Sequence, residues 1–279
     1  MPLNPSILTF FAKYIEKELG IVYSEFNHYQ LENRLDEIVR IVGLNSVEEL
    51  HAKATAGMTS DIKQLLLDMA TNNETSFFRD PKIFRAIQSS VFPTILKDGR
   101  KARIWSAACS FGQEPYTLSM LLQQYSEQVK APVNAEIVAT DISSKALERA
   151  RSGRYSQLEV QRGLPAASLI KFFKKDDDNY WTVDPVLRAP IRFETLNLLS
   201  SFLTWGKLTM ILCRNVLIYQ SVENKIKIIN KFTESLNSGG FLILGAGESL
   251  IGLSDAFESV KVDETLFYVL KANPLTLAA

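Results

Sequence analysis

The sequence predicts an α/β protein with a mostly parallel sheet, an all-helical N-terminal region and a small antiparallel insertion. Three observations predict it. The first third of the chain repeats apolar residues at helical spacing. After "KDGRK", residues 97–101, short apolar runs alternate with amphipathic stretches, the pattern of strands joined by helical crossovers and covered on both faces. Between Gly153 and Pro190 that rhythm breaks, and "KKDDDNYWTV" has the form of a hairpin with "DDDN" as its turn.

In "PSILTFFAKYIEKELG", Ile7, Phe10, Phe11, Tyr14 and Ile15 recur at helical spacing, and Gly20 stops the run. "YQLENRLDEIVRIVG" repeats the pattern through Leu31, Leu35, Ile38 and Val42 and ends at Gly43. "SVEELHAKA" and "TSDIKQLLLDMATN" each open on a Ser or Thr suited to cap a helix. "DPKIFRAIQSSVFPTIL" offers Asp80 as cap and Pro81 at the first helical position. "ARIWSAA" then predicts a strand, "PYTLSMLLQQYSEQV" a helix, "AEIVATDIS" a second strand and "SSKALERARSG" a helix. "LTMILCRNVLIY" predicts a third strand, "VENKIKIINKFTESL" a helix ending at "NSGG", "GFLILGAGES" a strand, and "TLFYVLKA" the last element.

Composition sets outer limits. Of 279 residues 46 % are apolar, enough for a sizeable core. Lys+Arg and Asp+Glu number 31 each, so net charge gives no general attraction to nucleic acid. Two distant cysteines, Cys109 and Cys213, do not make a disulfide framework and suit a reducing compartment. The first residues lack the basic region of a signal peptide. No apolar run reaches the roughly 18 residues of a spanning helix, so a cytoplasmic location without membrane insertion is expected.

Ligands of an open α/β sheet bind beyond the carboxyl ends of the strands. Three segments fall there. In "SAACSFGQE", the small residues Ala107, Ala108, Ser110 and Gly112 would let a ligand approach the backbone; a plain tight turn is the competing reading. The segment is not G-x-G-x-x-G, so a dinucleotide is weakly supported. Asp141 ends "IVATDIS", where a carboxylate can accept from two ribose hydroxyls or cap the next helix. Arg214 and Asn215 follow the apolar run "TMILC", either as functional groups or as strand terminators, and Tyr219 follows at a spacing that returns its hydroxyl to the same mouth. No Cys/His cluster suggests a metal.

One stretch fits neither loop nor core. "TNNETSFFRD", Thr71 to Asp80, sets Phe77 and Phe78 among Asn73, Glu74, Thr75 and Arg79. Taken with "WSAACSFGQEPYTLSM", "ATDIS", "LNLL" and "CRNVLIY", in that order, it resembles the chemotaxis receptor methyltransferases, the CheR family, over nearly the whole chain. The resemblance implies an N-terminal helical domain over residues 1–72 and a linker with a cofactor-contacting motif and helix over 73–95. It implies a Rossmann-like methyltransferase domain dependent on S-adenosylmethionine (SAM) over 96–279, with a β insertion at about 153–190. The implied reaction is methylation of glutamate side chains on the cytoplasmic signalling helices of chemoreceptors.

By the same resemblance, Asn73, Thr75 and Arg79 reach into the SAM site while Phe77 and Phe78 anchor them. Glu114 meets the methionine amino group and Asp141 the ribose. Asn197 and Leu198 lie near the adenine, and Arg214 and Asn215 line the methionine end. Arg79 and Tyr219 flank the transferring methyl. No metal is implied. Two departures bear on partners. The second helix, rich in Arg and Lys where family members dock on acidic receptors, here mixes Arg34 and Arg40 with Glu32, Asp36 and Glu37. The insertion has no glycine from Leu164 to Ile191 and lacks the glycine-rich loop of members that bind a receptor-tail pentapeptide. The expected partners are therefore receptor signalling helices, met transiently at receptor arrays, without tail docking and without nucleic acid. The alternatives are a SAM methyltransferase of another protein or small molecule, or a SAM-sensing module without catalysis.

Overall fold

Helical periodicity gives way to strand periodicity near residue 100, and the architecture follows that change. The computed structural model describes residues 3–23, 28–201 and 205–272. The first two residues of the expected helical domain and the last seven of the expected methyltransferase domain therefore lie outside the described residues.

Four helices open the chain: α1 Pro5–Leu19, α2 His28–Val42, α3 Val47–Ala56 and α4 Ser60–Ala70. The caps read from the sequence are in place, with Ser46 and Thr59 accepting from the backbone of Glu49 and Ile62. Phe11, Ile15, Leu31, Leu35, Ile38, Leu50 and Leu66 close a core of their own. Ile142, from the end of a sheet strand, packs against it and joins the two halves. Gly20 ends α1 with φ 72, and a Cβ there would fall 2.1 Å from Gln220 Oε1. Glycine takes this left-handed cap conformation without strain.

Residues 71–80 form no regular element. α5 Pro81–Ala86 then runs through a π-helical turn, Ile87–Val91, into α6 Phe92–Ile95. The widening falls just before Pro93, which has no N–H to give the preceding turn. Asp80 stands at the cap position with φ 59, but its side chain makes no capping bond. This corrects the sequence expectation: its carboxylate is taken by Arg214 instead.

The main sheet has seven strands: β1 Ala102–Ala107, β2 Ala135–Asp141, β6 Ile191–Thr195, β7 Leu208–Cys213, β8 Leu236–Leu244, β9 Phe257–Val262 and β10 Thr265–Leu270. Their order is β6-β2-β1-β7-β8-β10-β9, parallel through β8 and antiparallel at β10 and β9. Crossovers run through α7 Gln113–Val129, α8 Ser144–Ser152 and α12 Val222–Ser235. Strand alternation sorts residues to the two faces. Trp105, Ile211 and Cys213 meet Ile228 and Phe232 of α12, while Ile104, Met210 and Leu212 meet Leu118 of α7 and Phe84 of α5.

The insertion is a three-stranded antiparallel sheet, order β3-β5-β4: β3 Arg154–Tyr155, β4 Phe173–Lys175 and β5 Trp181–Val183, with the short helices α9 Gln157–Gln161, α10 Ala166–Phe172 and α11 Pro185–Arg188. The acidic turn is there, but it is braced rather than simply solvated. Asp176 accepts from the backbone N–H groups of Asp178 and Tyr180, and Arg154 pairs with Asp176 and Asp178, each at 2.7 Å.

Three sequence readings change. The strand expected through Tyr219 stops at Cys213, because Asn215 takes a left-handed conformation, φ 58, and Leu217–Tyr219 form a 3-10 turn. β6 and β9, both at sheet edges with mixed burial, were not separated as strands by periodicity. Gly112 does not open space for a ligand: a Cβ there would lie 2.9 Å from Ala150 of α8.

The two phenylalanines now explain themselves. Phe77 is fully buried in the cluster under the insertion, its ring 4.9 Å from Tyr155 and 5.5 Å from Phe173. Phe78, turned by φ 50, packs edge-on to Phe84 at 5.9 Å and gives its N–H to Thr117. They pin the linker to the insertion and to the sheet-covering helices together. Phe77→Ala is expected to cost about 3–5 kcal/mol through the cavity it leaves, and Phe78→Ala less, as read by urea unfolding midpoints at unchanged slope.

Candidate active site

The strand order reverses between β1 and β7, and the cleft opens there, beyond the carboxyl ends of β1, β2 and β7. Its enclosed volume is about 120 Å³, and the rest of the cleft is open to solvent at its mouth. All ten residues singled out from the sequence line it: Asn73, Thr75, Arg79, Glu114, Asp141, Asn197, Leu198, Arg214, Asn215 and Tyr219.

Asp141, at the tip of β2, is almost fully buried. Its Oδ2 accepts the Ser110 N–H at 2.8 Å and its Oδ1 the Ser143 N–H at 2.9 Å. Burial raises its pKa above the usual value, against the opposing pull of those backbone donors. The helix cap proper is Ser143, whose hydroxyl accepts from Ala146. The cap reading of Asp141 is thereby corrected. The Ile142 N–H is a third donor to this carboxylate, which has about four acceptor positions in all.

Glu114, in the first turn of α7, accepts the Ser106 hydroxyl at 2.7 Å and Arg214 Nη1 at 3.0 Å. Arg214 is 2 % exposed at its side chain. It also donates to Asp80 Oδ2 and to the Arg79 carbonyl, both at 2.6 Å. This guanidinium is a brace between β7, α7 and the linker, with its donors turned mostly to protein. The Asn215 Oδ1 is buried with no hydrogen-bond partner, an acceptor that costs about 1–3 kcal/mol until a donor reaches it.

The linker is fastened by its backbone, which frees side chains for the cleft. The Ser110 hydroxyl donates to the Asn73 carbonyl at 2.8 Å. Asn73 Nδ2 turns back to the Thr71 hydroxyl at 3.1 Å. Arg79 donates to the Glu74 carbonyl at 3.1 Å. The Glu74 carboxylate is itself bound by Arg162, which holds its pKa below the usual range. From the loop after β7, the Tyr219 hydroxyl accepts from Asn72 Nδ2 at 3.0 Å. Cys109 and Cys213 are buried, and burial pushes both thiols well up, so neither is a nucleophile at neutral pH.

Sequence reasoning missed the part played by the N-terminal helices. Leu19 and Ile21 line the cleft, and Asn197 Nδ2 and Gln220 Nε2 donate to the Glu18 and Leu19 carbonyls at 2.6 and 2.9 Å. These carbonyls are the unpaired ones at the end of α1. The sequence signal was Gly20 followed by apolar Ile21 and Val22, but nothing in one sequence says which surface a helix end meets. Glu248, in "GAGES" after β8, was also missed, though it repeats the Asp141 pattern of an acid following an apolar strand.

Strain gathers at this site. Of nine non-glycine residues with positive φ among the described residues, Phe78, Asp80, Ala108, Ser110 and Asn215 belong to its walls or their direct supports. Such conformations cost of order 1–3 kcal/mol each and persist where the surroundings enforce them.

Residues 73–266 match the family described as CheR methyltransferase, SAM binding domain. The chain is 35 % identical over 265 residues to the Chemotaxis protein methyltransferase Cher2 of Pseudomonas putida, covering 94 % of this chain and 96 % of that one. It is 38 % identical over 267 residues to Chemotaxis protein methyltransferase 1 of Pseudomonas aeruginosa, with 94 % and 96 % covered. It is 37 % identical over 262 residues to the Chemotaxis protein methyltransferase of Vibrio parahaemolyticus, with 94 % and 95 % covered.

The brace has a measurable weight. Arg214→Met leaves Glu114 and Asp80 facing an uncharged side chain, and breaking a buried pair from one side costs about 3–5 kcal/mol. Chemical denaturation is expected to show that loss. Arg214→Lys should recover only part of it, because one ammonium does not span three acceptors as a planar fork does.

Proposed function

We propose that the protein, which belongs to the CheR methyltransferase family, moves a methyl group from SAM to side-chain carboxylates of glutamates on chemoreceptor cytoplasmic helices. The observation that carries this reading is the end-to-end match to chemotaxis protein methyltransferases at 35–38 % identity. The cleft fits the cofactor on its own chemistry. Asp141 offers a carboxylate at the strand end where a ribose is held in such sheets. Asn215 offers a buried acceptor without a donor. The lining carries the carboxylates of Glu74, Glu114 and Asp141 against the guanidiniums of Arg79 and Arg214. With Glu74 paired to Arg162, Glu114 and Asp141 remain as acceptors for the ammonium and hydroxyls of the cofactor.

SAM supplies an electrophilic methyl on a sulfonium; the carboxylate oxygen bonds to it as the carbon–sulfur bond breaks, and the electron pair leaves on a neutral thioether. A glutamate carboxyl, with a pKa near ~4.3, is already ionised at neutral pH. The chain therefore needs no general base, and its work is orientation and exclusion of water. Glu114 and Asn215 hold the amino-acid end, Asp141 the ribose, and Asn197 and Leu198 border the adenine. Leu19 and Ile21 keep water from that wall. Arg79 steers the incoming carboxylate by a charge-assisted hydrogen bond. Its neighbour Glu74 is occupied by Arg162, so Arg79 keeps its attraction for an acid. Tyr219 borders the transferring methyl from the opposite side.

Receptor recognition runs through the signalling helices without a tail dock. Binding by strand addition uses backbone groups of an open sheet edge. The outer strands of the insertion, β3 and β4, span only two and three residues. Asp177 adds an acid beside the Arg154-paired turn.

Labelling with methyl-tritiated SAM and receptor cytoplasmic fragments tests the function. Alkali-labile label on glutamate is expected, and alkali-stable label or none would reject it. Asp141→Asn replaces one of the two ribose acceptors with a donor. Calorimetry with S-adenosylhomocysteine is expected to show a loss of about 1.5–3 kcal/mol, roughly tenfold to a hundredfold in Kd. A receptor-tail pentapeptide containing Trp and Glu is expected to give no heat of binding at micromolar concentration; saturable micromolar binding lost on altering β4 would overturn the tail-free reading.

A further inference from the structure

The loop that follows β7 carries two cleft residues, Asn215 and Tyr219, yet it has left the sheet and has no ladder to hold it. Three of its backbone N–H groups converge on one side chain from the turn after β8. Glu248 Oε2 accepts from Asn215 N at 2.8 Å and Gly245 N at 2.8 Å. Glu248 Oε1 accepts from Val216 N at 3.0 Å and Ile218 N at 3.2 Å. A carboxylate has about four acceptor sites and no donor, and here all four meet backbone donors. No salt bridge to Glu248 occurs among the described residues, so its partners are backbone dipoles alone. The packing is close. A Cβ on Gly245 would lie 2.8 Å from Asn215 N and 2.9 Å from Glu248 Oε2.

We infer that Glu248 is a positioning residue: it fixes the 215–218 backbone and thereby sets the Tyr219 hydroxyl against the transferring methyl. The inference rests on the methyltransferase reading for its kinetic part, and on geometry alone for its structural part. Arg214 anchors one end of the loop, and the Val22 N–H bond to the Tyr219 carbonyl, 3.3 Å, anchors the other. Between them Glu248 holds three loop amides, those of Asn215, Val216 and Ile218. Glutamine is nearly isosteric but offers one oxygen and one NH₂, so a donor would face two of the four N–H groups. Aspartate is one methylene too short to span both edges of the loop. Gly245→Ala pushes at the same junction from the other side.

The test uses the full chain with Glu248→Gln, Glu248→Asp, Tyr219→Phe and the Glu248→Gln/Tyr219→Phe pair. Amide hydrogen exchange reads the hold without any substrate. Exchange at Asn215, Val216 and Ile218 is expected to rise about tenfold or more in Glu248→Gln while β7 and β8 stay protected; unchanged protection, or protection lost across the whole sheet, overturns the structural part. Single-turnover methyl transfer to a receptor fragment at saturating SAM reads the consequence. A misplacement of about 1 Å can cost up to a hundredfold, so Glu248→Gln is expected to slow transfer about tenfold to a hundredfold. In the Tyr219→Phe background the further loss should shrink to below about threefold, the non-additivity of groups acting as a unit. An undiminished loss in that background, or full activity in a folded Glu248→Gln, overturns the inference. Absence of transfer by the unaltered protein would instead reject the function, and the exchange pattern would still decide whether Glu248 holds the loop.

Discussion

The buried guanidinium of Arg214 is the interaction on which the rest of the site depends. It sits at the end of a parallel strand and binds three elements: Glu114 from α7, Asp80 and the Arg79 carbonyl from the linker, and its own strand. An arginine 2 % exposed at its side chain is tolerable only because two carboxylates and a carbonyl replace water around it. The same bonds fix where Glu114 faces the cleft and where Arg79 leaves the backbone. Position rather than acid–base chemistry is what this reaction asks for, since an ionised glutamate needs no proton removed. A brace that locks three walls with one planar fork meets that demand.

The strained backbone follows from the same constraint. Ala108, Ser110, Asp80 and Asn215 have positive φ where the chain must turn its N–H groups or side chains into the cleft. Three of the four are held by a specific partner: Ser110 by the Asp141 carboxylate, Asp80 by Arg214, Asn215 by Glu248. The walls are thus a set of unfavourable local conformations enforced by buried ionic groups. The N-terminal helices complete the enclosure, because the open carbonyls at the end of α1 find donors on Asn197 and Gln220. A helix end that would otherwise face water becomes the lip of the cleft.

Much of this was legible in the sequence, for reasons that also mark the limits. Capping residues and helical spacing place α1 to α4 because those signals are local. Apolar runs place β1, β2, β7 and β8 because both faces are buried. β6 and β9 escape notice because an edge strand is half solvated and loses that contrast. The ten residues singled out from the sequence all line the cleft, most of their roles coming through a family resemblance rather than from physics. What one sequence does not reveal is where charges go in three dimensions. Asp80 reads as a cap and is an ion-pair partner; Arg214 reads as a cleft residue and is chiefly a brace; Glu248 reads as nothing and collects four backbone donors.

Charge placement also bears on how an acidic substrate is admitted. The cleft lining carries more carboxylate than guanidinium, which favours a cationic cofactor but opposes an incoming glutamate. The pairing of Glu74 with Arg162 offsets this, because Glu74, whose carbonyl Arg79 binds, has its carboxylate partnered by a residue of the insertion. Arg162 precedes Gly163, where a Cβ would lie 2.2 Å from the Phe77 carbonyl, so the insertion and linker approach each other closely at this point. The insertion thus reaches the cleft through the cation that pairs with Glu74 beside Arg79. Its acidic turn at Asp176–Asp178 is bound within the insertion by Arg154, while its other end meets the linker.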